Sequence, residues 1–91
     1  MNALMIDQKD TVAVAVEMIE KGSEAVFFNN GEEERVIVLE DITIYHKFAI
    51  KDMKKGTAVV KYGEHIGLAA RDIKVGEHVH VHNVESHRED L

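Results

Sequence analysis

The sequence predicts a compact all-β fold, and three observations support this prediction. Short runs rich in β-branched residues follow one another along the chain, each bounded by glycine or by a turn that contains aspartate. No window of the sequence shows the sustained periodicity of a helix. A unit of one turn and one strand also recurs, and such repetition without intervening helices is typical of strands that return on themselves in a small all-β domain.

The predicted strands follow in order from the N-terminus. Val12, Val14 and Val16 alternate with small alanines, and this period of two predicts the first strand. Two β-rich runs then flank Asn30-Gly31, a dipeptide that readily takes two consecutive positive φ angles, so we expect a hairpin there. Four further strands are predicted within ITIYHKFAI, TAVVKY, HIGLAA and EHVHVH.

An internal repeat links two of these runs. Residues 49–63 read AIKDMKKGTAVVKYG and residues 69–83 read AARDIKVGEHVHVHN, and a fainter copy, VEMIEKGSEAVF, spans residues 16–27. Each copy places an apolar residue before the turn, reverses at glycine and then launches a strand. We expect Asp52 and Asp72, which match in the repeat, to accept turn N–H bonds. One turn of helix is predicted within KDMKKG and another within RDIKVG.

Composition narrows the classes of function. The chain has 91 residues, the size of one domain, with 17 acidic residues against 11 basic ones and a formal net charge of −6. Lys and Arg are not clustered, so nucleic acid is not expected as a partner. The sequence has no cysteine, which fits a reducing cytoplasm. The N-terminal MNALMIDQKD resembles neither a signal peptide nor a membrane span, so we expect a cytoplasmic protein without a membrane partner.

The stretch EHVHVHN contains three histidines within five residues, and histidine can bind metals and transfer protons. On an extended strand His78, His80 and His82 would share one face, with roughly 6.6 Å between neighbours and roughly 13 Å between the outer two. Because metal–nitrogen bonds are about 2.1 Å long, only a neighbouring pair could share a metal ion, completed by ligands from elsewhere. Alternatively, this is an edge strand whose histidines face water or a partner while Val79 and Val81 fill the core.

The runs DTVAVAV, HKFAIKDMKKG and VVKYGEHIGLAARDIKVGEHVHVHN, in this order, resemble the SAF domain of the altronate and galactarate dehydratase family. The resemblance covers about residues 10–83, with 1–9 as an N-terminal segment and 84–91 as a polar tail or linker remnant. It implies a β-clip fold within a hydro-lyase of sugar-acid catabolism, ahead of a much larger catalytic region. The small subunit of sulfolactate sulfo-lyase, which eliminates sulfite, has a similar architecture, although HVHVHN looks closer to the altronate group.

The resemblance also implies partners and a cofactor. We expect this chain to be the small subunit of a split enzyme, or a domain of a fused one, whose activity alone is uncertain. Its expected partners are a large catalytic subunit or domain and a sugar acid such as D-altronate or galactarate. The full enzyme is expected to use a divalent metal, namely iron, manganese or magnesium, with none necessarily held by this chain alone. A non-catalytic sugar-acid-binding, metal-binding or assembly module is the alternative, and pairing of two copies stays open.

Dehydration beside a carboxylate needs a base, a cation that holds the developing charge and an acid that assists the leaving hydroxide. With the resemblance in mind, we expect His78, His80 and His82 to be catalytic, and His78 and His80 are the candidate metal ligands. The candidate substrate-binding residues are His46, Lys47, Lys61, Tyr62 and Asn83. Three alternatives stay open, namely a purely structural histidine for His46, packing for Tyr62 and a cap at the end of the strand for Asn83.

Overall fold

The computed structural model describes residues 1–80 and 82–85, and its regular elements are all strands. No helix long and apolar enough to cross a membrane is found among these residues. Because the regular elements are all strands, the expected all-β fold is confirmed. The strands are β1 (Ala3–Leu4), β2 (Val12–Ala15), β3 (Glu24–Asn29), β4 (Glu32–Ile37), β5 (Lys47–Ala49), β6 (Ala58–Lys61), β7 (Glu64–Ala69), β8 (His78–Val79) and β9 (Val84–Glu85).

The strands form three small antiparallel sheets. One sheet has the order β1-β2-β5-β8, a second is the β3-β4 hairpin, and the third has the order β6-β7-β9. In the first sheet Val12 pairs with Ala49, and Phe48 pairs with His78. β5 therefore lies between the N-terminal strand β2 and the histidine-bearing strand β8, which forms one edge of the sheet.

β2 is buried on both faces, and this explains its alternation of valine and alanine. Ala13 and Ala15 face a core cluster that contains Phe27 and Phe48, whose rings meet edge to face with centroids 6.3 Å apart. Val12 faces a second cluster, which β6, β7 and β8 also line. The small alanines leave room for the two aromatic rings, so β2 can be buried on both faces as one of the two central strands of its four-stranded sheet.

The predicted turn-and-strand unit is confirmed, and the described part of the chain contains four copies of its turn. In each turn the fourth N–H donates to the carbonyl of the first residue at 2.9–3.0 Å, and the third residue has positive φ. Because positive φ at the third position ends helical geometry, the two expected helical turns are replaced by these tight turns. The turns are Glu20–Ser23, Thr43–His46, Lys54–Thr57 and Lys74–Glu77.

The turns are joined in pairs. Met53 and Ile73 exchange two backbone hydrogen bonds of 2.8 and 2.7 Å, and Ile19 and Ile42 do the same in the other half of the molecule. The predicted role of the repeat aspartates is confirmed in a reciprocal form. Asp52 accepts an N–H bond from the Lys74–Glu77 turn, and Asp72 accepts one from the Lys54–Thr57 turn.

Both hairpin loops have two residues. Asn30 and Gly31 have φ of 53° and 84°, which confirms the predicted β3–β4 hairpin. Tyr62 and Gly63, with φ of 55° and 78°, join β6 to β7 in the same way. The fully buried carboxylate of Asp10 accepts the Gly63 N–H at 2.8 Å and so fastens this second loop to the N-terminal segment.

The strand predicted within EHVHVH is shorter than expected. β8 ends at Val79, and the chain turns back between His80 and Asn83, where the Asn83 N–H donates to the His80 carbonyl at 3.0 Å. Val79 is fully buried, as predicted for the alternating valines. Val81 lies outside the described residues, as do positions 86–91 of the predicted polar tail.

Candidate functional site

Four histidine side chains, His46, His78, His80 and His82, meet beside β8, and we refer to them as the histidine cluster. Nδ1 of His46 lies 2.9 Å from Nε2 of His78, so one of these two nitrogens donates a proton and the other accepts it. The ring centroids of His46 and His80 are 5.0 Å apart. Those of His78 and His82 are 5.5 Å apart.

The cluster is more compact than the sequence predicted. The expectation that His78 and His82 stand roughly 13 Å apart is wrong, because the strand ends at Val79 and the following turn brings His82 back toward His78. The Asn83 side chain holds this turn: its Oδ1 accepts the His80 N–H at 3.0 Å, and its Nδ2 donates to the His78 carbonyl at 2.9 Å. Asn83 is itself fully buried beneath the cluster.

The environment favours the neutral form of two of these rings. Burial lowers the pKa of His78 below its ordinary value, and the neighbouring His46 and His82 rings lower it further. The Glu40 carboxylate opposes this, and its Oε2 also accepts the His78 N–H at 3.1 Å. The pKa of His80 is lowered first by burial and then by His46. At neutral pH both rings can therefore accept a proton.

An open cleft of about 320 Å³ adjoins the cluster and carries two lysines. The cleft is lined by Lys47 of β5, Lys61 of β6, Ile66 of β7 and Val84 of β9, together with His80, which follows β8. Burial lowers the pKa of Lys47, and the positive charge of Lys61 lowers it further. The ion pairs found within residues 1–80 and 82–85 are made by Arg35 and Arg71, not by these two lysines.

Tyr62 stands at the margin of this arrangement. Its ring is 46% exposed in the β6–β7 loop, and the Nζ atom of Lys61 lies 4.9 Å from the ring centroid, a cation–π contact. The structure thus brings six predicted site residues to one region, with Tyr62 beside them and Asn83 underneath. The six are His46, Lys47, Lys61, His78, His80 and His82.

Sequence reasoning missed three residues here. Glu40 contacts the backbone of His78, and Ile66 and Val84 form apolar walls of the cleft. No spacing in the sequence connects Glu40 with the histidines, because 38 positions separate it from His78. Among the described residues, no group of three or more His, Cys, Asp or Glu side chains is arranged to hold a metal ion.

Together these features define a small all-β module that gathers imidazole and ammonium groups at one edge. The chain belongs to the altronate/galactarate dehydratase SAF-domain family, whose model matches residues 1–87. The resemblance inferred from the sequence is thereby confirmed.

The chain is similar to curated proteins of two kinds. It is 40% identical over 91 residues to altronate dehydratase of Escherichia coli K12, and 36% identical over 88 residues to altronate dehydratase of Bacillus subtilis 168. These matches cover 100% and 97% of the chain but only 18% and 17% of the two dehydratases. It is also 41% identical over 63 residues to the (2R)-sulfolactate sulfo-lyase subunit alpha of Paracoccus pantotrophus, covering 69% of the chain and 94% of that subunit.

Proposed function

We propose that this chain is the SAF-domain subunit, or N-terminal domain, of a metal-dependent hydro-lyase that dehydrates a hexonic or hexaric sugar acid such as D-altronate or galactarate. The observation that carries the proposal is the placement of Lys47, Lys61 and His80 around one cleft beside the histidine cluster. These groups contribute to a site shared with a large catalytic subunit or domain. The cysteine-free sequence supports a cytoplasmic location.

The two lysines support recognition of a carboxylate. Lys61 lowers the pKa of Lys47, so the two charges repel each other across the cleft. A carboxylate bound between them would offset both this repulsion and the partial burial of Lys47. The cleft volume of about 320 Å³ is at the lower end of ligand pockets, so the catalytic region would enclose the rest of a six-carbon substrate.

The histidine cluster supports proton transfer. A neutral His78 can take the weakly acidic proton next to the substrate carboxylate, and its hydrogen bond to His46 offers a second nitrogen over which that charge is shared. His82 is the proposed acid for the leaving hydroxide, and His80, which lines the cleft, is a second candidate base. Tyr62 is the proposed hydrogen-bond partner of a substrate hydroxyl at the margin of the cleft.

Asn83 has a different place in the proposal. Both polar atoms of its side chain are bonded to the backbone of the turn that carries the histidines. Those bonds support a positioning role, in which Asn83 acts on the site by fixing this turn. Direct contact between Asn83 and a substrate hydroxyl stays a prediction.

A divalent iron, manganese or magnesium ion belongs to the full enzyme in this proposal. In that enzyme the ion would polarise the substrate and stabilise developing negative charge. The His46 and His78 nitrogens that face each other are already hydrogen-bonded, so the present arrangement offers little of a metal site by itself. The single nitrogen of His78 that is not bonded to His46 can serve either as a base or as a metal ligand. In the second case His78 and His80 would contribute at most two ligands, and the catalytic region would supply the others.

A second candidate function is the small subunit of a sulfolactate sulfo-lyase. It is favoured by the match to the Paracoccus pantotrophus subunit alpha, 94% of which this chain covers. The same cationic cleft would suit that substrate, because a sulfonate and a carboxylate are both anions that lysine binds. The two functions differ in the leaving group, which is sulfite in one case and water in the other.

The proposal is tested by mixing this chain with a candidate large catalytic subunit, namely a polypeptide that matches the remainder of the altronate dehydratases. Dehydration of D-altronate and galactarate, and release of sulfite from sulfolactate, are measured with iron, manganese or magnesium supplied. Each polypeptide is assayed alone and in the mixture. A Lys47→Met/Lys61→Met variant and a His78→Gln/His80→Gln variant are compared with Lys74→Met, which changes an exposed lysine in a turn.

We expect dehydration only in the mixture, a reduction of about a hundredfold or more in both site variants, and unchanged activity of Lys74→Met. Sulfite release without dehydration would favour the second candidate. Full activity of the large polypeptide alone, or of the mixtures that contain the site variants, would make this chain a binding or assembly module. Isothermal titration of galactarate against neutral galactitol would then show whether it binds sugar acids at all.

A further inference from the structure

We propose that the exposed ring of Tyr45 is an anchor that docks into an apolar pocket on the catalytic region and closes that region over the histidine cluster. The identity of the partner rests on the proposed function. The anchor itself is argued from the backbone and the exposure of this one side chain.

The backbone at Tyr45 is the first observation. In the four equivalent turns the third residue has positive φ, and it is glycine in three of them: Gly22 at 87°, Gly56 at 89° and Gly76 at 94°. In the Thr43–His46 turn the same position is Tyr45, with φ of 70°. L-residues are disfavoured in this conformation and bulky ones especially, whereas glycine is not. A tyrosine at this position therefore destabilises the turn relative to glycine.

The exposure of the ring is the second observation. Tyr45 is 72% exposed, the highest value among the large apolar side chains within the described part of the chain, and the neighbouring Ile44 is 42% exposed. Burial of the ring therefore does not offset the free-energy cost of the positive φ at Tyr45. Conformational strain that persists without an internal benefit is typical of positions that serve recognition. Tyrosine is also enriched among the residues that dominate the binding energy of interfaces.

The location of the turn is the third observation. The Tyr45 N–H donates to the Ala15 carbonyl at 2.7 Å, and this bond attaches the turn to the end of the central strand β2. The next residue is His46, whose ring is hydrogen-bonded to His78. A surface that received Tyr45 would therefore lie directly beside the histidine cluster. Because the backbone is fixed at both ends of the turn, little further ordering of the chain would be needed on binding.

The length of the related enzymes indicates which polypeptide binds Tyr45. The chain accounts for 18% of the Escherichia coli altronate dehydratase, so most of such an enzyme lies outside the SAF domain. A site shared between this domain and the remainder requires a contact next to the histidines. We therefore infer that the pocket that receives Tyr45 lies on the catalytic polypeptide, whether fused to this domain or separate. Binding of Tyr45 to a second copy of this chain is the competing outcome of the test.

The test is a series of substitutions at one position: Tyr45→Phe, Tyr45→Ala and Tyr45→Gly. Association with the candidate large catalytic subunit, supplied as a separate chain, is measured by titration calorimetry without substrate. Thermal unfolding of each variant alone is measured in parallel. Phe28→Ala, which removes a ring that is 44% exposed on the β3–β4 hairpin, is the matched control.

We expect Tyr45→Phe to bind like the original chain, and Tyr45→Ala and Tyr45→Gly to raise the Kd about tenfold or more. Tyr45→Gly should nevertheless unfold about 4 °C above Tyr45→Ala, because glycine accepts the positive φ. Equal binding by all variants, no binding by the original chain, or a comparable loss in Phe28→Ala would overturn the proposal. So would a homodimer of the original chain that Tyr45→Gly dissociates.

Failure of this inference and failure of the proposed function are distinguishable. Association is measured without turnover, so weaker binding by Tyr45→Gly stands even if the lysine and histidine variants keep full activity. Conversely, activity that requires Lys47 and His78 but survives Tyr45→Gly with unchanged Kd would refute the anchor and leave the lyase function in place.

Discussion

His46 and His78 share a hydrogen bond between Nδ1 and Nε2 at 2.9 Å, and the bond exists only while one of the two nitrogens lacks a proton. Burial and the surrounding rings act in the same direction and lower the pKa of His78, while burial and His46 lower that of His80. The edge that carries the candidate site is therefore sensitive to acid, and the first prediction follows from this sensitivity.

The thermal stability of the domain should fall as the pH drops. The folded-state pKa values of His78 and His80 lie below their ordinary value of 6.5, so the unfolded chain takes up protons first. Stability is therefore full above about pH 6.5 and is lost as the pH falls through the folded-state pKa values. We expect Tm to fall between about pH 7.5 and about pH 5, measured by circular dichroism.

The matched variants for this measurement are His78→Gln/His80→Gln and Glu64→Gln. The histidine variant should lose much of the dependence between these two pH values, whereas Glu64→Gln, which changes an exposed carboxylate on β7, should retain it. An unchanged pH dependence in the histidine variant would contradict the prediction.

Removing the charge of Lys61 should raise the pKa of Lys47. Burial is the larger cause of the lowered Lys47 pKa, so Lys61→Met should restore only part of the shift. The measurement is an NMR titration of the Lys47 side chain, and Lys74→Met is the control for a general change in charge. If the Lys47 pKa is the same in both variants, the two lysines do not act on each other across the cleft.

Asn83→Ala should destabilise the domain and disperse the histidines. The substitution leaves the His80 N–H and the His78 carbonyl without their side-chain partner, which costs about 2 kcal/mol or more. Urea unfolding measures the loss, and the imidazole NMR signals of His78 and His82 should shift in the folded protein. Asn29→Ala removes only an exposed side-chain bond to Glu34, so its effect should stay within about 0.5 kcal/mol. Similar losses in both variants would argue against a special role for Asn83.

Asp52 and Asp72 should stabilise the fold mainly as hydrogen-bond acceptors, and their negative charge should contribute less to the free energy of unfolding. Asp72→Ala removes the oxygen that accepts the Lys55 N–H at 2.8 Å and should cost about 1 kcal/mol, as should Asp52→Ala at the other turn. Asp72→Asn keeps an acceptor oxygen and should change the free energy of unfolding by less than about 0.5 kcal/mol. Equal losses for Asp72→Ala and Asp72→Asn, measured by urea unfolding, would show that charge is the important property.

Local rules in the sequence located the glycine-containing turns and most strands, although they predicted helical turns at two places where the structure has tight turns. Asn30-Gly31 predicts its hairpin because few dipeptides tolerate two positive φ angles, and the repeat glycines mark turns for the same reason. The repeat does not predict the fourth copy of the turn, because Tyr45 occupies the position where the other copies have glycine. Its signal was nonetheless present, since Asp41-Ile42 matches Asp52-Met53 and Asp72-Ile73.

The candidate site was less predictable, because its geometry depends on contacts between distant parts of the chain. The spacing of the histidines predicted an extended strand, whereas the buried amide of Asn83 closes a turn there instead. Glu40 reaches His78 across 38 positions, which no local pattern reveals. Residue types identified the candidates, but tertiary structure decided which of them meet.

The pairing of strands far apart in the chain also governs how this domain forms. β2 pairs with β5, β5 pairs with β8, and Met53 pairs with Ile73 across the β6–β7 hairpin that lies between them in the chain. During synthesis β2 therefore emerges from the ribosome before its partner β5 exists, and the core cannot close until β8 has been translated. Proteins dominated by such non-local pairing fold comparatively slowly, in roughly milliseconds to seconds. We expect folding in one late, cooperative step, with the histidine cluster assembled at its end.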